Sequence, residues 1–283
     1  MSQTQRLLMS IIAILLVLVL SFDFSLFWAI NHTPNQLNVN YITLHDKKIP
    51  ESLNDVTIIY FTDLQYGKYQ DDKRTKKVFQ EIHDLHPDIL IFGGDLYDSE
   101  ATVSDKSNKK LISYLNSIEA PMGKYAVWGE KDWNNEQRKQ AVKEIYKKSQ
   151  IELLHNKNVR ISSHDKQSIR LIGLTSTNKL SQALDGVSGK TYNLLVTHKP
   201  DNFMAQELAN HSISYGLAGH SHGTQITFPI VGPYKEYKGA TKINRENTKK
   251  LSFDYAISTG IGCTNVNMRY SSKPEIDVFI LKH

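Results

Sequence analysis

Short apolar runs alternate with amphipathic charged stretches along most of the chain, and the two patterns predict different elements. Residues 56–61, 89–92, 125–128, 169–174, 193–197 and 213–218 are brief, nearly continuous apolar runs, the pattern of strands buried on both faces. Stretches 73–85, 106–117, 135–148 and 203–209 carry apolar residues at helical spacing and read as the intervening helices. Alternation of this kind predicts an α/β domain with crossover connections. From Thr224 onward the pattern becomes strand-rich, with 253–258 and 276–281 the clearest runs.

The first thirty residues follow another rule. Positions 7–30 are almost wholly apolar, with Asp23 as the sole charge, and the run exceeds the ~20 residues that a bilayer needs. Arg6 and the amino terminus precede it, whereas Lys47 and Lys48 lie well beyond its far end, which predicts an N-terminus-in, C-terminus-out orientation. The run ends in Phe27-Trp28-Ala29-Ile30 without a small-x-small cleavage site, so the expectation is an uncleaved signal anchor rather than a removed signal peptide. The predicted organisation is therefore an anchor over 1–30, a tether over 31–50 with an edge strand around 37–44, and a single domain over 51–283.

Composition narrows the function classes. Hydrophobic content of 40% with 22% charged residues excludes extended disorder. The single cysteine, Cys263, excludes an intramolecular disulfide and any cysteine-rich metal site. A net charge of +5 favours an anionic surrounding, yet no nucleic-acid recognition motif accompanies it, so no nucleic-acid partner is expected.

Candidate chemistry falls at strand ends. Asp63 follows the first run, Gly93-Gly94-Asp95 the second, Gly129-Glu130-Lys131-Asp132 the third, His198 the fifth and Gly219-His220-Ser221-His222-Gly223 the sixth. In α/β sheets, sites form beyond the carboxyl ends of strands, so these loops should converge. Imidazole and carboxylate together suit Mn, Fe or Zn.

In these segments the chain resembles the calcineurin-like metallophosphoesterases, closest to their bacterial membrane-linked branch. Asp63-Leu64-Gln65, Gly94-Asp95-Leu96-Tyr97-Asp98, Gly129-Glu130-Lys131-Asp132, His198 and Gly219-His220-Ser221-His222 follow the order and spacing of the family motifs, and the likeness extends over roughly residues 50 to 281. The resemblance implies a four-layer sandwich, two packed mixed β-sheets flanked by helices, here preceded by the transmembrane helix. It implies two divalent metal ions: one held by Asp63, Gln65, Asp95 and His222, the other by Asp95, Glu130, His198 and His220. It places Lys131 and Asp132 in the catalytic loop.

Three positions depart from the family pattern: Gln65 and Lys131 stand where the family has histidine, and Glu130 where it has asparagine. Oxygen-rich ligation moves the expected metal toward Mn, with Fe, Zn and Mg as alternatives. The implied function is a membrane-anchored phosphoesterase acting on phosphomono- or diesters, including lipid headgroups or envelope polymers, with its catalytic domain outside the cell. The alternative is a catalytically impaired surface binding module. Residues 231–250 hold six Lys or Arg against two Glu; this segment, with Lys235, Lys238 and Tyr66, is expected to bind the anionic substrate.

Overall fold

The computed structural model describes residues 2–163 and 167–283. A long helix α1 (Gln3–Asn31) leads into β1 (Asn38–His45) and β2 (Thr57–Phe61). Then come α2 (Asp72–Asp84), β3 (Ile89–Phe92), α3 (Asp105–Asn116), β4 (Lys124–Ala126), α4 (Glu136–Lys148) and β5 (Ile151–Leu153). A second half supplies β6 (Lys157–Ser162), β7 (Ser168–Leu174), the short α5 (Leu180–Ala183), β8 (Asn193–Thr197) and β9 (Tyr215–Ala218). The two-residue strands β10 (Thr227–Phe228) and β11 (Gly232–Pro233), then β12 (Asp254–Ile257) and β13 (Glu275–Lys282), complete the chain.

Two mixed sheets form, in the orders β1-β13-β2-β3-β4-β5 and β12-β9-β8-β7-β6. The run β2 to β5 is parallel, as is β7-β8-β9-β12. Strand periodicity explains why the apolar runs are unbroken. Ile59, Phe61, Leu90 and Phe92 pack under α2, α3 and α4, against Val78, Phe79, Leu111, Leu115, Val142 and Ile145. Their neighbours Ile58, Tyr60, Ile89 and Ile91 face the other way, into a core shared with Leu171, Leu194, Val196 and Leu217 of the second sheet. Ile172, Leu195 and Ala218 then pack outward against Leu180, Phe203 and Leu208. The expected helix–sheet–sheet–helix sandwich is what forms.

The three main helices start where side chains cap them. Asp71, Ser104 and Asn135 each accept a hydrogen bond from the backbone amide three residues on. The stretch 203–209, expected to be a helix, instead forms two 3₁₀ turns, Pro200–Met204 and Gln206–Asn210. Ala205 between them is extended at φ −62°, ψ 123°, which breaks the helical path. Strands β5 and β6 lie outside the predicted elements. Residues 38–45, inside the expected tether, form the edge strand β1, paired in parallel with β13 along its whole length.

Helix α1 is long and apolar enough to cross a membrane, and the apolar part lies free of the domain. Only its last turns touch the fold: the Arg269 amide donates to the Ala29 carbonyl at 3.0 Å, and Ser25 Oγ lies 3.1 Å from the Tyr270 hydroxyl.

Candidate metal centre

The carboxyl ends of β2, β3, β4, β8 and β9 point to one end of the sandwich, so residues from both sheets meet there. Asp63 and Gln65 follow β2, Asp95 follows β3, Lys131 follows β4, His198 follows β8, and His220 and His222 follow β9. Backbone bonds lock these loops together: the Asp63 amide donates to Gly94, the Gln65 amide to Asp95 and the Gly219 amide to His198. Asp63, Gln65, Asp95, His220 and His222 all adopt left-handed φ between 51° and 66°. Such backbone costs of order 1–3 kcal/mol per residue and clusters at functional sites.

The ligand atoms of Asp95, His198 and His220 all lie within 4.8 Å of one another, and all three side chains are buried. His198 Nδ1 lies 2.8 Å from the Gly93 carbonyl, and His220 Nε2 lies 2.9 Å from the Lys238 carbonyl. A carbonyl only accepts, so each imidazole donates outward and turns a lone pair inward. The inward atoms, His198 Nε2 and His220 Nδ1, are 3.1 Å apart. Two lone pairs at that distance repel unless a cation or a proton lies between them. Asp63 adds a second sign of the same demand: its Oδ1 is buried and has no hydrogen-bond partner among the described residues, although His222 Nε2 stands 3.4 Å away. The tethered imidazoles match the outer support that metal-bound histidines receive. These residues fit one divalent ion.

The surrounding carboxylates favour positive charge at this point, whether a proton or a cation carries it. Burial opposes charge on His198, but Asp95 and Asp63 outweigh it and push its pKa up to about 9. Burial likewise opposes ionisation of Asp95, yet His198 and Lys131 hold its carboxyl well below the usual range. Burial pushes His222 down to about 3 despite the nearby Asp63.

Two of the other expected ligands, Gln65 and Glu130, have partners within the protein. Lys131 Nζ donates to Gln65 Oε1 at 2.9 Å and to Thr264 Oγ1 at 3.3 Å, and lies 3.6 Å from Asp95 Oδ2. Gln65 then donates its Nε2 to Asp95 Oδ2 at 3.1 Å. Its amide oxygen accepts from the lysine. Glu130, expected as a ligand of the other ion, is exposed and pairs with Lys199 at 2.7 Å. Among the described residues, Asp95, His198 and His220 are the compact histidine–carboxylate group.

Asp132, expected in the catalytic loop, is a brace. Its two carboxylate oxygens accept from the amides of Asp95, Leu96 and Gly129 at 2.8–2.9 Å, tying the β3 and β4 loops together. Burial and the charge of Asp95 push its pKa up to about 7 against those three bonds. Tyr66 is also engaged, donating its hydroxyl to Asp72 at 2.6 Å. The basic segment does reach the site. Lys235 Nζ stands 5.4 Å from the ring centre of Tyr237, and that ring lies 5.6 Å from His222 and 6.0 Å from His220.

Tyr237 and Thr264 are not among the sequence candidates, and Lys199 enters there only through the family likeness of the segment His198-Lys199-Pro200-Asp201. For Tyr237 the signal was its position inside a basic run. Arg269 is another hidden support: fully buried, it donates to the carbonyls of Thr259, Gly260 and Gly262, whose loop receives the Asp63 carbonyl through the Gly262 amide at 2.8 Å.

Residues 56–224 match the calcineurin-like phosphoesterase family. The chain is 24% identical to the Bacillus subtilis metallophosphoesterase YkuE over 253 residues, covering 88% of this chain and 87% of that one. It is 27% identical to YkoQ of the same organism, over 87% of this chain and 91% of that one. It also shares 25% identity with the UDP-2,3-diacylglucosamine pyrophosphatase LpxG of Chlamydia trachomatis, over 71% and 74% of the two chains.

Proposed function

The chain belongs to the calcineurin-like phosphoesterase family, and on that footing we propose a membrane-anchored hydrolase of phosphomono- or diesters built on one resident divalent ion. The observation that carries this reading is the pair of inward imidazole nitrogens 3.1 Å apart beside Asp95 and the orphaned Asp63 oxygen. Asp95, His198 and His220 would hold the ion, with Mn the expected metal, and it would supply Lewis-acid polarisation of a phosphoryl oxygen. Lys131 places a fixed positive charge beside Asp95, on the side where the family pattern leads to a second ion. That ammonium neutralises phosphate charge, but an alkylammonium is a weak general acid, so good leaving groups are favoured. Asp132 holds Asp95 and the 129–132 loop in register, and Arg269 holds the loop beneath Asp63 and Gln65.

The substrate reading is a phosphoester presented at the membrane face. It is supported by α1, by the basic residues beside Tyr237, and by the likeness to a relative that acts on a diacylated sugar nucleotide. With Arg6 inside and Lys47 and Lys48 beyond the helix, the domain would stand outside the cell. A second reading, an impaired binding module, is favoured by the engagement of Gln65 by Lys131 and of Glu130 by Lys199. Hydrolysis of an aryl phosphodiester by the full chain, with Mn supplied, decides between them. Asp95→Asn should lower the rate on the order of 10²–10³-fold. A rate that Asp95→Asn leaves unchanged, or no hydrolysis at all by the metal-loaded protein, removes the enzyme reading.

A further inference from the structure

The hairpin formed by β10 and β11 has a tip that the domain does not cover. Ile230 and Val231 are 108% and 84% exposed, and Tyr234 just beyond is 73% exposed. No charge occurs from Thr227 to Tyr234; the first is Lys235. Soluble surfaces seldom gather aliphatic side chains at such exposure, and where they do a partner covers them.

The hairpin also sits against the membrane helix. The ring of Phe228 lies 6.4 Å from that of Phe22 and 5.1 Å from that of Tyr270, whose hydroxyl meets Ser25. An apolar groove lined by Ile30, Ile226, Phe228, Tyr234, Val266 and Met268 runs between hairpin and helix end. At about 1.5 Å per residue, a hydrocarbon layer of about 30 Å entered at Leu7 ends near Leu26, which puts Phe22 roughly 6 Å inside it. The Phe228 ring stays within 6.4 Å of the Phe22 ring, and the exposed tip lies two residues further along the chain. If α1 spans, this contact brings the hairpin to the lipid boundary.

We infer that the β10–β11 hairpin is a second membrane element, with Ile230 and Val231 inserted beside α1 into the leaflet next to the domain. The residues around it have the composition of such a depth profile. Trp28, Tyr234 and Tyr270 carry the amphipathic rings of an interfacial belt. Lys235 and Lys238 follow, placed for anionic headgroups. The same short segment carries Tyr237 and the Lys238 carbonyl that receives His220, so insertion fixes the height of the candidate metal centre at the headgroup layer. That consequence rests on the metal-site reading; the insertion itself does not.

The test uses the full chain reconstituted into vesicles of phosphatidylcholine and phosphatidylglycerol, with Ile230→Cys or Val231→Cys labelled by an environment-sensitive fluorophore. Cys263 is buried and stays unlabelled in the folded protein, and Lys147→Cys on α4 gives the water-exposed control. Both hairpin labels should emit blue-shifted light and lose about twofold intensity to lipids bearing an acyl-chain nitroxide, as interfacially buried side chains do, whereas the control should do neither. Water-like emission from the hairpin labels overturns the inference. So does a blue shift without quenching by lipid, which would mean that a second copy of the chain covers the tip.

Discussion

Lys131 and Gln65 are joined by a 2.9 Å hydrogen bond from ammonium to amide oxygen, and this one contact reshapes the site that the family pattern leads one to expect. A histidine pair at the same positions would offer two inward nitrogens. Here the amide oxygen is used by the lysine, and the amide nitrogen faces Asp95. A cationic side chain thus stands beside both Asp95 and Gln65.

Restoring the histidines tests that substitution. The double variant Gln65→His/Lys131→His removes a fixed positive charge and adds imidazole nitrogen beside Asp95. Metal content should rise from about one to about two divalent ions per chain, since neutral imidazole is a far better ligand than an amide engaged by an ammonium. Elemental analysis of loaded, desalted protein reads the difference, and an unchanged count would argue against lysine standing in for an ion.

Removing the brace should weaken the centre without touching a ligand. Asp132→Ala leaves the amides of Asp95, Leu96 and Gly129 buried without acceptors. Each orphaned donor costs about 1–3 kcal/mol. Thermal unfolding should therefore occur at clearly lower temperature, and metal affinity should fall by about 10–100-fold, as for other outer supports of a metal site. Binding calorimetry with Mn separates that loss from a purely global one.

Gly129 is fixed by contact rather than by φ. A Cβ there would stand 2.1 Å from the Asp95 nitrogen and 2.2 Å from its Oδ1. Gly129→Ala must push Asp95 away, at a cost of about 1–3 kcal/mol for such overpacking. The expected outcome is reduced thermal stability together with loss of bound metal, whereas Gly232→Ala, with no atom within 4 Å of the added methyl, should retain the metal.

Asp277 gives a pH dependence remote from the centre. Burial first, and then the charge of Glu275, push its pKa up to about 6. A carboxyl raised in the folded state binds more protons there than in the unfolded chain, so its contribution is fully present below about pH 4 and is lost as pH rises through about 6. With its hydrogen bond from Asn40 opposing the shift, the loss is roughly 1–3 kcal/mol. Asp277→Asn should remove this component, making the variant more stable than the parent at pH 7.5 but not at pH 4.5. Melting curves at the two values measure the sign directly.

Much of the scaffold was legible because its physics is local. Strands β3 and β8 occupy the predicted apolar runs, since burial on both faces forces every position to be apolar. The helices begin at Asp71, Ser104 and Asn135, which offer capping oxygens. The convergence of Asp63, Asp95, His198, His220 and His222 followed from strand ends and glycines. What stayed hidden depends on direction in space. Glu130 and Lys131 are adjacent in sequence, yet one turns outward to Lys199 and the other inward to Gln65. Asp132 stands in a motif read for chemistry and its carboxylate also clamps backbone, a role that shows only when three amides from two loops are seen around it. Strands β5 and β6 are short and carry polar residues on one face, so their apolar signal is thin.

The account stands or falls on the ion between His198, His220 and Asp95. Plasma mass spectrometry of the full chain, loaded with Mn and desalted, should find about one ion per chain, and close to none in His220→Ala of unchanged helix content, because binding needs the complete ligand set. Equal metal in both proteins, or none in the parent, would contradict it.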